Sequence, residues 1–173
     1  MGDLVRSTPT ALSAARRYLA AASVGNYALF GGGYTGSAKS SVVDAYNTSL
    51  TRSTPTALSA ARYWLAAASV GDYALFGGGW TGDASSVVNA YNTSLTRSTP
   101  TALSAARDEL AAAAVGDYAL FGGGYTGSAK SSVVDAYNTS LTRSTPTALS
   151  AARNDLAAAS VGDYALFGGG YTS

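Results

Sequence analysis

Three acidic side chains are the first candidates for chemistry in this chain. Asp108 and Glu109 are adjacent, and Asp155 follows Glu109 by 46 residues. Paired carboxylates are what glycoside hydrolysis needs, one as proton donor and the other as nucleophile or base. The rest of the inventory points away from catalysis. Among 173 residues there is no histidine and no cysteine, which removes the commonest general base, the commonest metal ligand and the thiolate nucleophile. The glycine-rich runs, GGGYTG at residues 31–36 for example, have neither the spacing nor the lysine of a phosphate-binding loop. The Asp, Ser and Thr positions lack the spacing of a calcium loop. A solvated acidic rim accounts for the carboxylates more simply, and the expectation is a non-enzymatic chain without cofactor or metal.

The acids occupy one of the few places where a repetitive chain varies. The run YALFGGG occurs four times, and its phenylalanines, Phe30, Phe76, Phe121 and Phe167, are spaced by 46, 45 and 46 residues. The block STPTALSAAR is identical at residues 7–16, 53–62, 98–107 and 144–153. A fixed period of this size marks a repeat architecture in which one copy cannot bury its apolar face alone. The repeats fall at 7–52, 53–97, 98–143 and 144–173, with 1–6 a partial strand, and form a single repeat domain over 1–173. Variation concentrates after the last arginine of each block, at Arg17 and Tyr18, Tyr63 and Trp64, Asp108 and Glu109, and Asn154 and Asp155. A smaller variable set lies in the loop after the glycines, where Tyr34 gives way to Trp80 and residues 37–40 to the one-shorter 83–85. The variable pairs are either solvent-exposed positions free to drift or a surface that recognises a partner. The invariant arginines Arg16, Arg62, Arg107 and Arg153 suit structural donation to loop carbonyls better than a ring of free cations.

The elements that position these residues read as four segments per repeat: an alanine-rich strand (19–24), the Tyr-Ala-Leu-Phe strand (27–32), a β-branched strand (42–46) and a short strand (50–53). The first of these is ambiguous. Thr8 and Pro9 followed by an alanine-rich body and Gly25 also has the caps and composition of a helix. The strand reading places Pro9 in a loop and makes 19–24 an innermost strand, buried on both faces, where alanine fits a crowded centre.

The order of arginine, two variable residues, small apolar strand, glycine turn, aromatic strand ending in Gly-Gly, and Val-Val-x-x-Tyr-Asn strand resembles the kelch repeat. Arg16, Gly31, Gly32 and Tyr46 match that pattern, as do Arg62, Gly77, Gly78 and Tyr91, then Arg107, Gly122, Gly123 and Tyr137, and finally Arg153, Gly168 and Gly169. One feature departs from it: Leu50, Leu95 and Leu141 stand near where the family carries a tryptophan. The resemblance implies an all-β fold, a β-propeller of four kelch-like repeats of about 46 residues, and resolves the ambiguous segment as strand. With the tryptophan replaced, blade number does not carry over from the family, and half of an eight-bladed ring is the expectation from two-fold closure of the open ends. It also implies that the residues after each arginine reach a rim used for protein or glycan recognition. Counted along the chain, the strands come to fifteen where four full blades need sixteen, and the one missing is the third strand of the last blade.

An open half-ring leaves an apolar face at each end, so two chains are expected to close head to tail as a homodimer. The junction would bring Asp3, Leu4, Val5 and Arg6 of one chain to the blade that carries Leu166 and Phe167 of the other. Near-identity of the copies, even at polar positions, indicates either recent duplication or an idealised, designed repeat, and its uniformity favours the latter. Eleven basic and ten acidic residues leave a formal charge of +1, which offers no field for nucleic acid or an anionic membrane surface. No stretch resembles a signal peptide or a membrane span; the expectation is a soluble chain, cytoplasmic if expressed as given.

Overall fold

The computed structural model describes residues 6–172. Among the described residues the regular structure is entirely strand. Strands β1 (Ala20–Val24), β2 (Tyr27–Gly31), β3 (Val43–Asn47) and β4 (Arg52–Ser53) form one antiparallel sheet in chain order. The second sheet repeats it with β5 (Ala66–Val70), β6 (Tyr73–Gly77), β7 (Val88–Asn92) and β8 (Arg97–Ser98). The third does so with β9 (Ala111–Val115), β10 (Tyr118–Gly122), β11 (Val134–Asn138) and β12 (Arg143–Ser144). Finally, β13 (Asn154–Val161) and β14 (Tyr164–Tyr171) pair only with each other. Three four-stranded blades of a propeller-like array and a fourth, two-stranded one match the expected absence of a third strand there. No helix of the described residues is long and apolar enough to cross a membrane.

The ambiguous alanine segment is a strand in all four copies. Helix propensity loses because β1, β5, β9 and β13 lie side by side at the convergent edge of the array, where methyl groups let neighbouring backbones approach. The Ser69 hydroxyl, for instance, donates to the Ser23 carbonyl at 2.6 Å. Burial there alternates rather than covering both faces: in β5, Ala66, Ala68 and Val70 are buried while Ala67 and Ser69 are only partly so. The β1–β2 hairpin turns on Gly25 at φ 50°, the position a two-residue II′ turn reserves for glycine. Residues 7–16 are an irregular strap pinned to the blade that follows, with Tyr46 and Arg52 donating to the carbonyls of Thr10 and Ala11 at 2.7 Å each. The expected short strand over 50–53 is trimmed to Arg52–Ser53, because Leu50 (φ 58°) and its equivalents Leu95 and Leu141 take left-handed turn conformations. The strand expected at Asp3, Leu4 and Val5 lies outside the described residues; Arg6 is exposed.

Blades join through one recurring contact. A β-carbon on Gly31 would lie 2.8 Å from the Phe76 ring, one on Gly77 2.8 Å from Phe121, and one on Gly122 2.7 Å from Phe167. Each phenyl ring of a blade therefore lies flat against the bare backbone of the glycine one repeat earlier. Val24, Leu29, Val43 and Ala45 meet Ala74, Phe76 and Tyr91 around the first of these joints. Val70, Leu75, Val88 and Ala90 meet Ala119, Phe121 and Tyr137 around the second. The strap to the next blade closes the seam, with Leu58 N–H donating to the Ser41 carbonyl and Arg62 N–H to that of Ser40.

The repeated arginine sits at the end of that strap and fixes the residues that follow it. Arg107 is fully buried, donates to the carbonyls of Gly123 (2.6 Å) and Val133 (2.7 Å), and pairs with Asp135. Arg16 pairs with Asp44 at 2.9 Å, and Arg153 donates to Gly169 at 2.6 Å. The structural-donor reading of these residues thus holds, with an anionic partner added. Blade 2 differs: Arg62, equally buried, meets the neutral Asn89 at 3.0 Å and the Phe76 carbonyl at 3.1 Å. Burial pushes the Arg62 pKa down to about 10, with Tyr91 opposing the shift and Arg97 adding to it. Asn89→Asp should supply the carboxylate that blades 1 and 3 already carry. Because Arg62 is desolvated in either case, we expect a gain of about 1–2 kcal/mol in denaturant unfolding. A loss of stability would contradict this account of the arginine.

Candidate functional site

Each arginine is followed by a two-residue step onto the next strand, and these steps place the variable pairs side by side. The first residue of the pair bridges to the aromatic beyond the glycines: Arg17 to Tyr34, Tyr63 to Trp80, Asp108 to Tyr125. The second is left-handed in every copy, at φ 58° for Tyr18, 56° for Trp64, 51° for Glu109 and 53° for Asp155. Side chains of this size rarely adopt that conformation. In three of these copies the amide reaches the preceding blade: Trp64 N–H donates to the Tyr18 carbonyl, Glu109 to Trp64 and Asp155 to Glu109, all at 3.0 Å. All eight candidate rim residues are therefore gathered in one row. The backbone there is fixed, and only the side chains are free to vary.

The side chains divide the row into two halves. Tyr18, Tyr63 and Trp64 cluster, with ring centroids 5.5 Å apart for Tyr18–Trp64 and 4.5 Å for Tyr63–Trp64, and Tyr34 adds a ring 5.5 Å from Tyr63. The Arg17 guanidinium lies 5.3 Å from the Tyr18 ring and 5.4 Å from that of Tyr34. Further along, the Asn154 amide donates to the Glu109 carboxylate at 2.7 Å. Arg17, Tyr18 and Asp155 are exposed, as the drift reading expects. Asp108 contradicts that reading. Only 2% of it is accessible. Burial, then the negative charge of Glu109, and more weakly Asp155, push its carboxyl up to about 6, against an opposing backbone hydrogen bond.

Between the two halves opens a cavity of about 550 Å³, lined by Tyr63, Trp64, Trp80 and Tyr125 and by Asp108 and Glu109. Lys130, Asn154 and Tyr171 complete its lining. The loop aromatics belong to the smaller variable set, whereas Lys130 and Tyr171 were not singled out by sequence. Nor was the arginine partner in the third strand. Its signal was present: Asp44, Asn89 and Asp135 stand 28, 27 and 28 residues after Arg16, Arg62 and Arg107. Among the described residues no group of acidic side chains is arranged to hold a metal ion.

The expected assembly residues separate. Leu166 is 56% exposed, whereas Phe167 lies against Gly122 of blade 3. Adjacent residues of a strand face opposite sides, so only one of the two can belong to an end face. Compared with known proteins, the chain matches no family model and aligns significantly with no curated sequence.

The raised Asp108 pKa gives a pH signature. Its usual value is 3.8 and its folded value about 6, so the folded state holds a proton that the unfolded state releases between those limits. Stability from this group is then lost as pH rises from about 4 to 6, and the penalty is complete above that window. Asp108→Asn should stabilise the protein by about 1–3 kcal/mol at pH 8, with the gain shrinking towards zero near pH 4. Unfolding curves at both pH values, compared for the two proteins, check this; an equal difference at pH 8 and pH 4 would contradict it.

Proposed function

We propose that this chain is a non-catalytic structural scaffold of kelch type, and that two copies close head to tail into one eight-bladed ring. The observation that carries the reading is an unfilled seat. A β-carbon on Gly168 would meet nothing within 4 Å, whereas its equivalents Gly31, Gly77 and Gly122 each press on a phenylalanine. At the other end of the array Phe30 is only partly buried, whereas Phe76 and Phe121 are inaccessible. One end thus presents the seat and the other the ring that fits it.

The faces around them agree. Leu166 is 56% exposed where its equivalent Leu29 is 0%, and Val161 61% where Val24 is 3%. Every side chain needed to cover them already covers the same residues at an internal joint, because the repeats share their sequence. Charge adds direction. Asn154 reaches back to Glu109 across an internal joint, and the same step between copies would set Arg17 of one beside Asp155 of the other. Residues 3–6 of one copy would meet the two-stranded blade of its neighbour, making that junction the thinnest part of the ring. Near-identical repeats, as in an idealised or symmetrised sequence, suit this use.

Light scattering after size exclusion tests the proposal. The expected mass is twice the 17.3 kDa of one chain. Phe30→Ala and Gly168→Ala should each shift the population towards single chains, since one removes the ring and the other blocks its seat. Gly77→Ala, at an internal joint, should instead lower stability by about 1–3 kcal/mol as overpacking does. A monodisperse single-chain species at micromolar concentration, or a dimer indifferent to both Phe30→Ala and Gly168→Ala, would overturn the reading.

A further inference from the structure

We propose that the cavity between the aromatic and acidic halves of the rim binds an organic cation, an ammonium group carried on a small apolar body. Three observations converge on that chemistry. Four aromatic side chains, Tyr63, Trp64, Trp80 and Tyr125, line it, and aromatic faces attract a cation within about 6 Å of the ring centre. Of the polar groups that line it, the Asp108 and Glu109 carboxylates and the Asn154 Oδ1 accept, while the Lys130 ammonium is engaged with the Tyr171 ring. Asp108 is almost wholly buried, and among the described residues neither an ion pair nor a hydrogen bond from another side chain ends on its carboxylate. Asn154 Oδ1 is buried with no hydrogen-bond partner. Cations of the protein itself already rest on rings of this rim, Arg17 on Tyr18 and Tyr34, and Lys130 on Tyr171 at 4.2 Å.

The volume of about 550 Å³ lies in the range that holds a small molecule. An anion would meet the Asp108 and Glu109 carboxylates and be repelled. A neutral sugar could stack on the rings, but it would leave the buried charge of Asp108 uncompensated. A quaternary ammonium satisfies both demands, since its methyl groups pack on the rings while its charge faces the carboxylates. The cavity is built from blades 2, 3 and 4 of one chain, so binding does not depend on ring closure.

Trp64 and Trp80 are the only two tryptophans of the chain and both line the cavity, so intrinsic fluorescence reports on it directly. The full chain is titrated with choline, with its neutral carbon isostere 3,3-dimethylbutan-1-ol, and with cellobiose, each followed by fluorescence and calorimetry. The expected result is saturable choline binding, with the isostere weaker by about tenfold or more. Asp108→Asn, which is expected to fold at least as stably as the parent, should weaken choline by a similar factor, and Trp80→Leu should weaken it too. No saturable response to choline, equal responses to choline and its isostere, or saturation by cellobiose in place of choline would each overturn the proposal.

Discussion

A phenyl ring lying on a glycine that has no side chain holds each blade of this protein to the next. The contact needs both halves of the run YALFGGG: the phenylalanine supplies the ring, and the glycine that follows it supplies the seat for the ring of the next repeat. Burying one phenylalanine contributes about 1.5–3 kcal/mol. A repeat therefore carries a ring it cannot seat and a seat it cannot fill, and its stability depends on its neighbours. Phe76, Phe121 and Phe167 find their glycines within the chain, while Phe30 and Gly168 do not.

Strap and joint together hold the rim. The arginine of each repeat ties the strap to its own sheet, as Arg16 does at Asp44 and Arg107 at Val133. The second residue after it is left-handed, and in Trp64, Glu109 and Asp155 its amide bonds across the joint to the preceding blade. The variable side chains are displayed on a backbone whose conformation repeats from copy to copy. That arrangement lets Tyr63 and Trp64 in one repeat become Asp108 and Glu109 in the next without disturbing the array. Asp108 is buried there, among the residues of three blades that line the cavity.

Much of this was legible in the residues. The period and the structural role of the arginines follow from spacing and residue type, whereas the four-stranded sheets and the shortened last blade follow from the resemblance to the kelch repeat. The alanine strand was not decided by local propensity, since its helical caps are satisfactory; crowding at the convergent edge decides it, and that is a property of four repeats together. The left-handed Leu50 was hidden because leucine gives no local sign of a positive φ. Leu166 and Phe167 belong on opposite faces by simple alternation, yet they read as one apolar pair. The burial of Asp108 could not be read from a single repeat, because its neighbours come from elsewhere in the chain. The buried Arg16–Asp44 pair was visible as a constant offset, but an offset does not say that two groups touch.

Hydrogen exchange at single-residue resolution probes the unfilled seat directly. The amides of Gly33, Gly79 and Gly124 donate to the carbonyls of Arg62, Arg107 and Arg153 across the three internal joints, at 2.8–2.9 Å. Gly170 holds the equivalent place at the open end, where the proposed ring would bring the Arg16 carbonyl of a second copy. Closure of the ring predicts that the Gly170 amide is protected to the same degree as that of Gly124. Exchange of Gly170 at the rate of an unprotected amide, under conditions where Gly124 remains protected, would contradict it.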